Sequence, residues 1–134
     1  ARLESLGIEL PPAPEPVANY VNGVRTGNLI FLAGKGPRRA DGSEITGKLG
    51  VDVSIEEGYE GARLTAINQL AVLKEMLGDL RKVKRVVKVL GMVNAAPDFT
   101  QHPAVINAVG AHHDEIEMNN IISPIIQACR PWSS

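Results

Sequence analysis

The chain has 134 residues, 44% of them hydrophobic and 22% charged, and a formal net charge of −1. That is the size and makeup of one globular domain able to bury a core without metal or disulfide. The charge balance gives no field to draw it onto nucleic acid or an anionic membrane. Aromatics are only 4% of residues, so the core is expected to be aliphatic. Cys129 is the lone cysteine, which excludes an internal disulfide. No apolar run reaches the roughly 18 residues of a membrane span. The opening ARLESLGIELPPAPEP lacks both a signal-peptide core and an Arg/Ser-rich transit composition. With the single thiol, this predicts a cytoplasmic protein.

Residues 1–16 are punctuated by Pro11, Pro12, Pro14 and Pro16. Such spacing predicts an extended, polyproline-like lead-in, with Leu3, Leu6, Ile8 and Leu10 available to dock on the domain. The stretch NYVNGVRTGNLIFLAG predicts a hairpin, because two apolar runs flank Arg25-Thr26-Gly27-Asn28 and Gly27-Asn28 is turn chemistry. In the second run, Leu29, Phe31 and Ala33 share one face and Ile30 and Leu32 the other. A strand apolar on both sides is expected to be central, or to meet another subunit through one face. It ends at a corner, Gly34-Lys35-Gly36-Pro37. Asp41-Gly42 and Gly47 then predict a second turn or short hairpin.

Residues 54–78 predict a long helix. Ser54 and Glu57 have capping-box spacing, and Gly78 is a natural stop. Ile55, Tyr59, Ala62, Ala66, Leu70, Leu73 and Leu77 form one stripe, hence one buried face. The basic run Arg81-Lys82-Val83-Lys84-Arg85 predicts a solvated turn entering a strand, since no aromatic platform interleaves it. VKRVVKVLGMVN, residues 83–94, is rich in β-branched residues and predicts that strand, broken by AAPDFT. HPAVINAVGAHH predicts a short helix, with Pro103 tolerated in its first turn. Beyond it, Glu115-Ile116-Glu117-Met118 alternates as a strand does. Ile121, Ile122, Ile125 and Ile126 suit a helix restarted at Ser123-Pro124, and both readings stand. One long helix cannot cover two sheet faces, so the spare apolar surface points to copies of the same chain.

Gly34-Lys35-Gly36 is not a P-loop: the glycine spacing differs and no Lys-Ser/Thr pair follows. It reads as a tight turn with exposed amides, open to an anion or carboxylate contact. His102, His112, His113 and Asp114 read as polar surface rather than a metal site, since adjacent histidines do not share a helix face. Cys129 beside Arg130 has no base at a recognisable spacing, and no G-x-S-x-G is present. Tyr20, Asn107, Glu115 and Glu117 are isolated polar residues beside apolar segments.

The stretches YVNGVRTGNLIFLAGKGP, GKLGVDVSIEEGYEGARLTAINQLAVLKEMLGDL and RVVKVLGMVNAAPDFTQHPAVIN resemble the RidA family, also called YjgF/YER057c/UK114, and in particular its bacterial branch opening with LGIELPP. The resemblance runs over roughly residues 6–107. It implies a single α+β domain over residues 1–134 with a chorismate-mutase-like fold. A mixed sheet would carry helices on one face, and three copies would close a barrel with ligand clefts between subunits. It also implies a cofactor-independent deaminase that hydrolyses enamines and imines of amino acids to a 2-oxo acid and ammonia. The implied partner is a small carboxylate-bearing metabolite, with no metal and no membrane. On this resemblance Tyr20 and Glu115 are the catalytic candidates, and Gly34, Lys35 and Asn107 the substrate-binding ones. Lys35 stands where many relatives carry glutamine. After Asn107 the chain departs from the pattern: the strand carrying the family arginine has no match, and Arg130 does not fit the motif. Residues 108–134 are therefore an atypical tail. That departure leaves a non-catalytic ligand-binding or interaction protein on the same scaffold as the alternative. The family's older labels, endoribonuclease and translation inhibitor, sit poorly with a near-neutral charge.

Overall fold

The computed structural model describes residues 2–5 and 7–107. The expectations for Glu115–Met118, the Ile-rich run, His112, His113, Asp114, Cys129 and Arg130 lie outside the described residues. The lead-in differs from the extended reading at its start. Helix α1 occupies Arg2–Ser5 and ends where Gly7 takes φ 67° and the Ile8 amide donates to Leu3 at 2.9 Å. Proline excludes helix only from the preceding residue onward, and none stands before Pro11. From there the backbone runs without helix or strand to residue 16, while Ile8 docks in the core.

Strands β1 (Gly23–Thr26) and β2 (Leu29–Leu32) form the expected antiparallel hairpin. The two-residue turn works because Gly27 reaches φ 55° at no steric cost. Gly23 pairs with Leu32, Val24 with Phe31, Arg25 with Ile30 and Thr26 with Leu29. Opposed residues share a face. One face presents Gly23 and Leu32 toward the helix that comes next, α2 (Ile55–Leu77): a Cβ on Gly23 would lie 2.6 Å from the Met76 sulfur. The other presents Val24, Leu29 and Phe31, which remain 54%, 47% and 61% exposed. Strand β2 is therefore not central among the described residues, where the sheet has two strands.

Both ends of α2 are set by local devices. Ser54 and Glu57 close a reciprocal capping box, and Gly78 ends the helix in the left-handed conformation with its amide on Lys74, each worth about 1 kcal/mol. The buried surface is wider than the single predicted stripe. Ala66, Ile67, Asn68, Leu70, Ala71 and Val72 are all buried, so the middle of the helix is covered nearly all round. Leu70 and Val72 retain 2% and 0% exposure, each contributing about 1.5–3 kcal/mol of burial. Tyr59, expected inside, lies outside.

Past α2, Asp79 caps a 3-10 turn over Leu80–Lys82 by accepting from the Arg81 amide, and the basic run is solvent-facing as predicted. Residues 83–94 correct the expected strand: among the described residues they enter no ladder. Their burial still alternates, with Val89, Gly91 and Val93 inward and Leu90 and Met92 outward. Gly91 packs against Ile106 of the second helical segment, and the described sheet contains only β1 and β2. Pairing begins only at its end, where Leu49 donates to Asn94 at 3.0 Å and accepts from Ala96 at 2.8 Å. Leu49, Ala95 and Val105 then form a core cluster packed by Val53, Ala62, Val93 and Phe99. The predicted second short helix begins at His102 and is described to Asn107. Among the described residues no helix is long and apolar enough to cross a membrane.

Candidate functional site: the corner after strand β2

The corner is built by the register of the hairpin. The Ala33 amide donates to Asn22 at 2.9 Å, extending the pairing one step beyond β2. Helix α2 then fastens the next residues of the chain. Gln69 donates its Nε2 to the Ala33 carbonyl at 2.9 Å. Asn68, only 5% exposed, donates its Nδ2 to the Arg38 carbonyl at 3.0 Å and, more weakly, to that of Gly36 at 3.4 Å. The segment 33–38 is thus held at both ends by adjacent amide side chains. Gln69 Oε1 is buried without a hydrogen-bond partner among the described residues.

Between those anchors the chain is open. A side chain at Gly34 or Gly36 would meet nothing within 4 Å. Among the described residues, no backbone acceptor takes the amide hydrogens of Gly34, Lys35 or Gly36. Lys35 itself is half-buried. Its Nζ is 5.6 Å from the centroid of the Tyr20 ring, within cation–π range, and donates to Asn22 Oδ1 at 2.5 Å. The corner thus gathers an ammonium, an aromatic face and backbone amides without a hydrogen-bond acceptor among the described residues, a donor set suited to an anion and not to a metal cation. No cluster of metal-ligating side chains occurs among the described residues.

Of the residues singled out from sequence, the structure brings Tyr20, Gly34 and Lys35 together. Asn107 is exposed at the end of the described part of the second helical segment, and no hydrogen bond joins it to the corner. Glu115 lies outside the described residues. Sequence reasoning missed Asn22, Asn68 and Gln69. Their signal was readable for the helix pair: Asn68-Gln69 interrupts the apolar run AINQLAVL, and an amide there needs a partner. A hollow of about 480 Å³ lies beside the corner, between Pro12, Pro14 and Pro16 on the lead-in and Arg38, Arg39 and Gly42 on the following turn.

Three kinds of likeness bear on this site. A family described as "YjgF/chorismate mutase-like, putative endoribonuclease" matches residues 1–126, which carries the match beyond Asn107 into the tail. Protein TCP17 of Trypanosoma cruzi is 40% identical over 107 residues, covering 80% of this chain and 67% of that protein. The crystal structure of a "putative endoribonuclease" from Shewanella oneidensis superposes with a TM-score of 0.82 at 29% identity, over 86% of this chain and 76% of that one. That of the protein Atu1372 "with unknown function" from Agrobacterium tumefaciens gives 0.81 at 34%, over 96% and 79%. This chain, with its hairpin, long capped helix and Gly-Lys-Gly corner, belongs to the YjgF/chorismate mutase-like family.

Proposed function

We propose that the protein is a small-molecule-binding homotrimer acting as a cofactor-independent deaminase of amino-acid-derived 2-imino acids. The observation that carries the reading is the Gly34–Lys35 corner itself, in a chain of this family. A fixed ammonium and the amides of Gly34, Lys35 and Gly36, without an acceptor among the described residues, offer hydrogen bonds to a carboxylate, and Tyr20 offers a flat wall for the adjoining π-system. Water adds to the imine carbon, the C=N bond becomes a tetrahedral carbinolamine, and its collapse expels ammonia and leaves the 2-oxo acid. An enamine first takes a proton at its β-carbon. By the family resemblance Glu115 orients the water and Asn107 completes the cleft.

The trimer is supported by the apolar face of the hairpin. Among the described residues, Val24, Leu29 and Phe31 on that face stay exposed, with Leu90 and Met92 also outward, an apolar surface that contact with another copy would bury. The test generates 2-imino acids in situ with an amino-acid oxidase and follows release of the 2-oxo acid. Acceleration above buffer is expected; none from a folded trimer rejects the deaminase. Saturable 2-oxo acid binding without turnover would instead establish the non-catalytic binding protein, which the unmatched family arginine favours. RNA cleavage, named in the family description, is a third activity. A net charge of −1 gives it little counterion-release drive.

A further inference from the structure

The ammonium of Lys35 is held in place by Asn22. Asn22 Oδ1 accepts from Lys35 Nζ at 2.5 Å, and Asn22 Nδ2 donates to the Pro14 carbonyl at 2.8 Å. A carboxamide has one acceptor end and one donor end, whereas a proline carbonyl only accepts and an ammonium only donates. The two bonds therefore fix the amide's orientation, with its oxygen toward Lys35. The anchor is stiff, because Pro14 sits in a proline-punctuated segment with locked φ. Asn22 satisfies one of the three ammonium donors. It does so without neutralising the charge, and no carboxylate pairs with Lys35 among the described residues. A lysine fixed in this way, half-buried against the Tyr20 ring, has lost the rotamer freedom that makes surface ammonium groups poor receptors.

We propose that Asn22 is a positioning residue, and that the Pro14–Asn22–Lys35 relay makes Lys35 the carboxylate receptor of the corner. This rests on the reading of the corner as a ligand site, and it adds the support, Asn22 anchored on Pro14, to which that reading gives no role. A neutral amide at Asn22 is essential to it. An acid there would capture the ammonium and close the site to anions.

The test titrates pyruvate into the full chain by calorimetry at fixed low salt. Expected are a loss of affinity of about tenfold or more for Lys35→Met and a smaller loss for Asn22→Ala. Asn22→Asp should lose as much as Lys35→Met. The double variant Asn22→Ala/Lys35→Met should bind no worse than Lys35→Met alone, because Asn22 acts only through Lys35; a merely structural role would add its own loss. Thermal melting of each variant checks that it is folded. Wild-type affinity in Asn22→Ala, additive losses in the double variant, or no pyruvate binding by the wild type overturns the inference. Imine hydrolysis that persists in any of those cases leaves the deaminase reading standing. Pyruvate binding with the expected pattern but no hydrolysis leaves the relay standing and removes the deaminase.

Discussion

Asn68 on α2 donates to the carbonyl of Arg38 at 3.0 Å, across 30 residues of chain. One buried amide thus fixes where the backbone goes after leaving the hairpin. Truncating it leaves the Arg38 carbonyl without a hydrogen-bond donor among the described residues. Asn68→Ala is expected to lower unfolding free energy by about 1–3 kcal/mol. Urea denaturation at a fixed protein concentration measures this, the concentration being held because association adds to stability. Glu60→Ala is the control. It removes a surface pair with Arg63 at 3.3 Å, and a change within about 0.5 kcal/mol is expected. Equal effects from the two variants would show that Asn68 does not hold the corner.

Phe31 lies opposite Val24 in the hairpin register, on the face directed away from α2. If that face is where copies meet, a charge there must be desolvated without a partner. Phe31→Asp is expected to shift sedimentation from trimer to monomer while the far-ultraviolet circular dichroism stays native. A trimer that survives the substitution places the contact elsewhere. Sedimentation of the wild type as a monomer at high concentration removes the assembly altogether.

Asp79 accepts from the Arg81 side chain, with contacts at 2.8, 3.0 and 3.2 Å, and from the Arg81 amide at 2.9 Å. The arginine side chain, then its amide, lowers the carboxyl pKa from 3.8 to about 2. A group with a lowered folded pKa binds protons more readily in the unfolded chain. Its stabilisation is complete above pH 3.8 and is lost as pH falls toward 2. Carbon-detected NMR titration is expected to place the Asp79 midpoint near 2, and Arg81→Ala to return it toward 3.8. A wild-type midpoint already at 3.8 contradicts the pairing. Both groups are exposed, so added salt should also raise the midpoint.

Local chemistry was legible in the chain alone. Ser54, Glu57 and Gly78 marked both ends of α2, and Gly27-Asn28 marked the hairpin turn, because caps and turns are satisfied by residues a few positions apart. The apolar excess on β2 was likewise legible, and Leu29 and Phe31 stand exposed on one of its faces. Two other features depended on distant chain. Residues 83–94 have every propensity of a strand, but a ladder needs a neighbour's amides and carbonyls, and propensity does not supply one. The site is similar in kind. The Gly34-Lys35-Gly36 corner was legible from its residues and the roles of Tyr20, Gly34 and Lys35 from a resemblance, whereas nothing in spacing shows that Asn22 turns its oxygen to Lys35 or that Asn68 and Gln69 reach back to the corner. Those contacts span 13, 30 and 36 residues. The order of residues alone set the helix, the hairpin and their ends. Which amide meets which carbonyl was settled in three dimensions, because a hydrogen bond is made by proximity in space, and folding creates that proximity between residues the chain keeps apart.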